Sequence, residues 1–236
     1  MSPRTREHGL TVLHHDDQLI VVAKPGGVPT VPDESRDPSV FDRLQSSLPR
    51  EGGKPAYLGV VHRLDRPVSG VLAFALTADA AADLSRQFKE RTTRKIYWGV
   101  AEGFPREDEG SLTQWLLKDS DRNLVRSVAP ERRGARKAIS RWRVLMTLGE
   151  RSLLELTPET GRSHQLRVAC GKLGCSLTGD VKYGASKYLR DKTIGLHARE
   201  LHLDHPTRGT PLSLEAPLPE VPLWNLGRRW LAGEGG

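Results

Sequence analysis

With 236 residues, of which 37% are hydrophobic and 28% charged, the chain has the composition of a globular protein and can bury a substantial core, which excludes intrinsic disorder. It contains 36 Lys and Arg residues against 29 Asp and Glu residues, a formal net charge of +7. A basic excess of this kind indicates a polyanionic partner, with nucleic acid as the first candidate. A merely soluble basic protein explains the charge equally well.

Neither a membrane span nor a secretion signal is predicted. No apolar run approaches the about 18 residues that a membrane-spanning helix needs. The first seven residues are polar and no apolar segment follows them, so we expect no signal peptide and a cytoplasmic protein.

Cysteine and histidine residues do not predict a metal site. The spacing of Cys170 and Cys175 matches no common zinc pair, so we expect two buried, reduced thiols. His197 and His202 would face opposite sides of a strand, and His205 lies in a predicted turn.

Apolar runs and helical periodicity predict the elements of the first half of the chain. In chain order they are a buried strand at 19–23, a short helix at 39–48, a second buried strand at 71–76, a helix at 78–90 and a strand at 95–100. Thr77 is the predicted N-cap of the helix at 78–90, because threonine accepts hydrogen bonds from the first helical amides.

The second half of the chain is predicted to continue with strands at 112–117, 138–148, 152–156 and 196–203. A helix is predicted from a Ser163 N-cap to Leu173, where Gly174 ends it, and a closing helix at 219–231. The densest basic cluster, 132–137, is expected to be a mobile loop or hairpin tip. It is either a solvated turn or an RNA contact.

Strands outnumber helices and many are hairpin-like neighbours, which favours an α+β fold over a regular βαβ series. We expect a mixed, largely antiparallel sheet core with flanking helices and loops. One domain spanning 1–236 is predicted, with a polar N-terminal tail at about 1–10.

Asp65 is the leading candidate for a reactive residue. It lies between Arg63 and Arg66 in the segment 61–70, and is either part of a structural ion pair or held ionised for chemistry. A buried carboxylate that reacts in its ionised form needs a cation nearby. That cation is one of these two arginines or a distant one brought by the fold.

Two further features, the segment 161–167 and Tyr97, are candidates for a functional role. The segment 161–167 opens a helix with Arg162 and Arg167, of which one can reach a phosphate while the other points into a site. Tyr97 lies in a strand, where it either packs or stacks on a base. Asp65 and Asp180 could form a glycosidase or two-metal nuclease pair, but their spacing supports neither.

Several of these motifs together resemble the RluA-type RNA pseudouridine synthases. The matching segments, in the order expected for that family, are 19–32, 62–70, 84–97, 161–167, 179–184 and 196–206. The resemblance implies a pseudouridine synthase fold and the isomerisation of uridine in structured RNA. That reaction retains every atom of the base, so no cofactor and no metal are expected.

The resemblance also implies roles for individual residues. Asp65 matches the catalytic aspartate, Tyr97 the tyrosine that packs on the target uracil, and Arg167 the arginine paired with the aspartate. Residues of the same motifs expected to contact RNA are His62, Arg63, Arg66, Arg162 and His164.

The chain departs from the family pattern at Val68, Ala169 and Ser176, and it is similar to short members without an N-terminal RNA-binding module. We expect a monomer whose partner is ribosomal RNA, transfer RNA or both, with no DNA or membrane partner. The alternatives are a non-catalytic RNA-binding protein that retains the fold and, more distantly, a metal-dependent nuclease.

Overall fold

The computed structural model describes residues 6–7, 9–51 and 54–234. These residues form two compact units. Unit 1 comprises the described residues of Met1–Lys95 and Ala198–Pro217, and unit 2 those of Ile96–His197 and Leu218–Gly236.

The described strands are numbered in chain order. They are β1 Arg6–Glu7, β2 Leu10–His15, β3 Leu19–Lys24, β4 Arg50–Glu51, β5 Lys54–Pro55, β6 Gly59–Val60, β7 Ser69–Ala75, β8 Arg94–Glu102, β9 Glu109–Asp119, β10 Leu124–Val128, β11 Arg136–Leu148, β12 Arg151–Pro158, β13 Leu196–Asp204 and β14 Pro211–Glu215. The helices are α1 Val40–Ser47, α2 Ala78–Glu90, α3 Gln165–Lys172 and α4 Asn225–Leu231, with 3₁₀ turns at Val181–Tyr183 and Pro222–Trp224.

Unit 1 is built on a sheet in the order β1-β2-β3-β7-β13, in which β6 also pairs with β7 and β14 with β13. The apolar run of β3 pairs antiparallel with β7, with Val21 opposite Ala73. Leu84 of α2 packs with these two residues in the main core of the unit. Both strands are buried on both faces, which explains why continuous apolar runs predicted them correctly.

Side-chain caps set the starts of the two helices of unit 1. Ser39 and Asp42 form a reciprocal capping box at the start of α1. Thr77 accepts a hydrogen bond from the backbone N–H of Ala80 at 3.1 Å and caps α2, as predicted.

Unit 2 carries an antiparallel sheet in the order β8-β12-β11-β9-β10. On one face Val168 of α3 packs against Leu116 and Ala138. A second cluster joins Trp98 of β8 to Trp224, which precedes α4. The sheet therefore separates two small cores, and the expected α+β class with a largely antiparallel sheet is confirmed.

The start of α3 differs from the prediction. His164, in a left-handed conformation with φ 52°, is the N-cap residue, and no side chain caps the helix, so the expected Ser163 cap is wrong. The Gln165 side chain organises this turn instead: its carbonyl oxygen accepts from the Arg162 amide at 3.1 Å and from the Thr160 hydroxyl at 2.7 Å.

The C-terminal region and the basic segment also depart from expectation. The closing helix is shorter than predicted, because the 3₁₀ turn Pro222–Trp224 precedes α4. The segment 132–137 is not a hairpin tip, because the strands that it connects, β10 and β11, both pair with β9. Strands β2, β10 and β14 were not predicted.

Other expectations concern the tail, the thiols and membrane spans. Within the predicted polar tail, residues 1–5 and 8 lie outside the described residues, whereas β1 pairs with β2 and Leu10 is buried. Cys170 and Cys175 are buried and free, as predicted, and burial raises the pKa of Cys175 to about 11. Among the described helices, none has the length and apolar character needed to cross a bilayer.

Asp16 joins two turns of unit 1. Its Oδ1 accepts backbone N–H groups of Gln18 and Leu19 at 2.9 and 3.0 Å. Its Oδ2 lies 2.9 Å from Nε2 of both His14 and His205. Burial alone would raise the pKa of Asp16, but these hydrogen bonds outweigh it and hold the pKa well below its usual range.

We predict that Asp16→Asn destabilises the protein by about 1–3 kcal/mol at neutral pH. The folded pKa is depressed, so the stabilisation is present above the unfolded value of about 3.9 and is lost as pH falls through the folded pKa. Urea unfolding over a pH series should show the difference from wild type shrinking in acid. The matched control is Asp17→Asn at the exposed neighbour. If the free energy of unfolding of Asp16→Asn differs from that of wild type by the same amount at every pH, the ionised Asp16 is not the source of the stabilisation.

Candidate active-site residues

The loop that carries Asp65 lies between β6 and β7 and is fixed through its backbone. The Thr30 hydroxyl donates to the carbonyl of Leu64 at 2.8 Å and accepts the N–H of the same residue at 3.2 Å. The Val68 N–H donates to the Asp65 carbonyl at 3.0 Å, which closes a turn. Leu64 is buried and Asp65 is half-buried, so the carboxylate is carried by backbone held on both sides.

Lys24, at the end of β3, ties this loop to the preceding one. Its side chain is buried, and its Nζ donates to three backbone carbonyls: Pro25 at 2.9 Å, Val28 at 2.6 Å and Arg66 at 3.1 Å. The Arg66 carbonyl directly follows Asp65 in the chain. One buried side chain therefore links the 24–28 turn to the Asp65 loop.

Lys24 is also a cation close to Asp65. Burial lowers the pKa of Lys24 to about 7; the charge of Asp65 opposes this shift, and that of Arg66 adds to it. Three carbonyl acceptors match the three N–H donors of the ammonium form. Unit 1 thus places close to Asp65 a lysine, positively charged in its protonated form, that the motifs did not predict. Its signal in the sequence was a lysine at the end of an otherwise apolar strand.

The two arginines beside Asp65 differ in their surroundings. Arg66 donates from Nε to the Gly27 carbonyl at 3.0 Å and forms ion pairs with Asp37 and, at 3.7 Å, with Asp33. Arg63 is exposed. The side chain of Arg66 therefore braces the neighbouring loop, although 40% of it remains accessible.

His62 positions the start of the Asp65 loop. The Ala73 N–H of β7 donates to its Nε2 at 2.9 Å, and its ring stacks on Phe88 of α2 with centroids 4.7 Å apart. Burial and, secondarily, the positive charge of Lys95 lower the pKa of His62 to about 3. The ring is therefore neutral at physiological pH, which suits its role as a hydrogen-bond acceptor.

Tyr97 faces the side of the unit 2 sheet on which α3 packs. In the strand register Tyr97 is opposite Leu156, which is opposite Trp142. Two residues before Trp142, on the same face, the Ser140 hydroxyl accepts a hydrogen bond from Gln165 of α3 at 3.1 Å. The partly exposed Tyr97 side chain is thus directed to the face that carries the segment 161–167, which we call the third motif.

Arg167, in α3, forms a buried, two-pronged ion pair with Asp180. Its Nε and Nη2 each donate to one carboxylate oxygen at 2.7 Å, and the two side chains are 7% and 1% exposed. The guanidinium also lies 5.0 Å from the Tyr183 ring centroid. Bidentate bonding fixes the orientation of the group, and the tyrosine ring adds a cation–π contact. The sequence motifs do not predict that Asp180 is the partner of Arg167.

His164 and Tyr183 complete this network. The His164 Nδ1 is hydrogen-bonded to the Tyr183 hydroxyl at 2.7 Å, and the Val125 N–H donates to the same hydroxyl at 2.9 Å. Tyr183 thereby connects α3 to β10 and supports the Arg167 guanidinium from one side.

Arg162 lies in the turn before α3 and is partly exposed. Its Nε donates to the carbonyl of Lys137, the last residue of the basic segment 132–137, at 3.2 Å. This bond holds the third motif against the start of β11, whose first two side chains are exposed.

The predicted residues thus fall into two groups, one in each unit. Those of unit 1 share the loop before β7 and are His62, Arg63, Asp65 and Arg66. Those of unit 2 belong to β8 and the third motif and are Tyr97, Arg162, His164 and Arg167. Within residues 6–7, 9–51 and 54–234, no cluster of three or more His, Cys, Asp and Glu side chains could hold a metal ion.

Comparisons with known proteins agree with these motifs. A sequence model of the family described as RNA pseudouridylate synthase matches residues 18–172. The dual-specificity RNA pseudouridine synthase RluA of Pasteurella multocida is 34% identical over 211 residues, which cover 88% of this chain and 93% of that protein. Among solved structures, Human RNA Pseudouridylate Synthase Domain Containing 4 matches with a TM-score of 0.75 at 28% identity, covering 92% of each chain.

A third relative is longer. An uncharacterized RNA pseudouridine synthase of Synechocystis sp. is 34% identical over 218 residues, and the match spans 89% of this chain but only 66% of that protein. The chain belongs to the RNA pseudouridylate synthase family, whose enzymes are isomerases. The resemblance predicted from the motifs and the expected fold are confirmed.

We predict that Lys24→Met destabilises the protein by about 2–5 kcal/mol, because three backbone carbonyls lose the buried side chain that donates to them. Because the folded pKa of Lys24 is depressed, the unfolded chain binds more protons between about pH 7 and 10.5. The Lys24 contribution to the free energy of unfolding therefore rises with pH across that window. Urea unfolding of wild type and variant measures both effects.

The matched control for Lys24→Met is Lys89→Met, at an exposed lysine of α2. It should leave stability and its pH dependence close to wild type. Equal stability of the Lys24 and Lys89 variants would contradict the bracing role of Lys24.

We predict that Asp180→Ala destabilises the protein by about 3–5 kcal/mol, because it removes the bidentate carboxylate from a buried guanidinium. Asp180→Asn keeps one acceptor and should lose less. Thermal and urea unfolding measure the differences, with Asp121→Ala, at an exposed aspartate, as the control. Unfolding of Asp180→Ala at wild-type denaturant concentrations would show that the pair does not support the fold.

Proposed function

We propose that this chain isomerises specific uridines in structured RNA, either ribosomal RNA, transfer RNA or both, to pseudouridine, with Asp65 as the essential residue. The observation that carries the proposal is Asp65 itself: its half-buried carboxylate sits in a loop braced by Thr30 and Lys24, in a chain of the RNA pseudouridylate synthase family. The dual specificity in the name of the Pasteurella multocida relative supports a range of RNA substrates.

The reaction breaks the bond between C1′ of the ribose and N1 of uracil and forms a bond between C1′ and C5. The hydrogen of C5 is released as a proton and N1 gains one, so atoms and electrons balance without an oxidant, a cofactor or a metal. The chemistry needs a carboxylate that attacks the sugar, attacks the base or abstracts a sugar proton. We assign that role to Asp65 in each of the three cases.

Tyr97 is proposed to stack on the target uracil. Taking a uridine out of its helix costs a few kcal/mol, and stacking on an aromatic ring returns about 1–3 kcal/mol. Its partial exposure and its position on the face that carries the third motif support this role.

Arg167 is proposed to be the arginine paired with the catalytic aspartate, as the family resemblance implies. The bidentate bond to Asp180 holds its guanidinium in one orientation, which supports a role in positioning a reactive carboxylate. Lys24 adds a positive charge close to Asp65 when it is protonated.

RNA contacts are proposed for the remaining motif residues. Arg63 is exposed, and Arg66 and Arg162 are partly exposed, which supports direct contacts of all three with phosphates or bases. His62 and His164 are held in internal hydrogen bonds, so their effect on RNA would pass through the backbone that they position.

The proposal extends to the protein as a whole. We propose a single catalytic domain that acts as a monomer in the cytoplasm on RNA rather than DNA. The basic net charge supports a nucleic-acid substrate, and strongly salt-dependent binding follows from phosphate contacts.

We predict that Asp65→Asn abolishes uridine isomerisation but leaves folding and RNA binding intact, because the amide keeps the shape of the side chain and loses the reactive carboxylate. Tritium release from RNA labelled at C5 of uridine measures isomerisation, and filter binding measures affinity. Asp79→Asn, at an exposed aspartate of α2, is the control and should remain active.

The outcome also decides between an enzyme and a non-catalytic RNA-binding protein. Full tritium release by Asp65→Asn would remove Asp65 from the mechanism. A wild-type protein that binds ribosomal and transfer RNA without releasing tritium from either would be the non-catalytic alternative. Strand cleavage that stops in chelator would indicate a nuclease instead.

A further inference from the structure

Tyr188 is exposed to an unusual degree for a large aromatic side chain. Its exposed fraction is 71%, the highest among the large hydrophobic side chains of the described residues. It lies in the segment 185–193, which connects the 3₁₀ turn Val181–Tyr183 to β13. None of the roles assigned above uses it.

The segment that carries Tyr188 is held in place at its N-terminal end. The N–H of Ala185 donates to the carbonyl of Asp180 at 3.2 Å, and the N–H of Ser186 donates to a carboxylate oxygen of Glu102 at 2.8 Å. Ala185 itself is buried. Tyr188 therefore extends from a braced loop.

The C-terminal part of the segment packs closely on the turn at Gly179. A Cβ on Gly179, whose φ is +86°, would lie 2.8 Å from both Cγ of Leu189 and the carbonyl oxygen of Thr193. Leu189 joins the core cluster of Trp98, and Asp191 accepts two hydrogen bonds from Thr193. Tyr188 is thus exposed while the next side chain is packed into unit 2, so the backbone that carries its ring is anchored.

The side chains around Tyr188 are basic. Lys187, Arg190 and Lys192 are all exposed, and Asp191, the one acidic residue in the segment, is engaged by Thr193. An exposed aromatic ring among positive charges is the arrangement by which proteins hold unpaired nucleotides, because every base has a face that can stack and every nucleotide carries a phosphate.

A second exposed aromatic of unit 2 provides the contrast. Phe104 is 46% exposed, but in the segment that follows it one exposed basic residue, Arg106, is outnumbered by the exposed acidic residues Glu107, Asp108 and Glu109. Exposure of an aromatic ring is therefore not by itself the signal. The positive charge around Tyr188 favours a polyanion over a protein partner.

We propose that the segment 186–192 is an additional RNA-binding element, in which Tyr188 stacks on an unpaired base and Lys187, Arg190 and Lys192 contact the flanking phosphates. The inference rests on the proposed function, since it names a further part of the surface that holds the RNA substrate. It concerns binding and assigns no step of the isomerisation to these residues.

Binding to a single-stranded oligouridylate of about 12 nucleotides tests the stack, because such a probe is long enough for one binding segment. Measurements in an Asp65→Asn background exclude turnover of the probe. Tyr188→Ala should weaken binding about 5- to 150-fold, whereas Tyr188→Phe should retain it. Tyr188→Leu should bind as weakly as Tyr188→Ala, because a leucine is apolar but cannot stack.

Two controls accompany these variants. Phe104→Ala, at the exposed aromatic in acidic surroundings, should bind as the parent protein does. An RNA duplex of about 12 base pairs should be less sensitive to Tyr188→Ala, because its bases are already stacked. Tyr188 is largely exposed, so thermal unfolding of all variants should match the parent.

Salt dependence separates the stacking ring from the basic side chains. Replacing Lys187, Arg190 or Lys192 by Gln should reduce the slope of log affinity against log salt by about 0.7 for each lost phosphate contact. Tyr188→Ala should lower affinity at every salt concentration and leave the slope unchanged.

The outcomes distinguish this inference from the proposed function. Unchanged oligouridylate binding by Tyr188→Ala, or full binding by Tyr188→Leu, would overturn the stack while leaving uridine isomerisation untouched. If the Asp65→Asn parent does not bind RNA and the wild-type protein does not release tritium, the proposed function is overturned, and the inference with it.

Discussion

The buried ammonium group of Lys24 is the interaction on which the geometry of the Asp65 loop depends. It donates to three backbone carbonyls from two different loops, and a buried charge requires such partners. Because one of these carbonyls belongs to Arg66, the position of the Asp65 backbone is coupled to the end of β3. The thermodynamic cost of burying the lysine is seen in its lowered pKa, and the negative charge of Asp65 opposes that cost.

Unit 2 also buries a cationic side chain, and here the partner is the carboxylate of Asp180. Arg167 is buried on α3, and Asp180 binds it through two short hydrogen bonds while the Tyr183 ring makes a cation–π contact with it. In both units a motif residue is held by groups that touch neither base nor sugar in the proposed reaction. A reactive carboxylate or guanidinium is useful only in a fixed orientation, and low-dielectric surroundings make each of these ion and hydrogen-bond contacts stronger than it would be in water.

Structural elements were predicted correctly where the signal for them lies within a few neighbouring residues. The strands β3 and β7 and the helices α1 and α2 were predicted because apolar runs, periodicity and side-chain caps are encoded within a few residues. The cap at Ser163 was wrong because the Gln165 side chain, held by Thr160, takes over the turn. Strands β2, β10 and β14 are short and mixed in polarity, so their partners rather than their own sequences define them.

By itself, the sequence was sufficient to predict the family, the α+β class and the identity of Asp65, Tyr97 and Arg167 as candidates, because each belongs to a short contiguous motif. Only the tertiary structure identified Lys24 as the support of the Asp65 loop, and Asp180 as the carboxylate that binds Arg167. It also decided that Tyr188 is exposed while Leu189 is packed. These facts depend on which distant backbone and side-chain atoms meet, and burial and hydrogen bonding between residues far apart in the chain leave no local pattern.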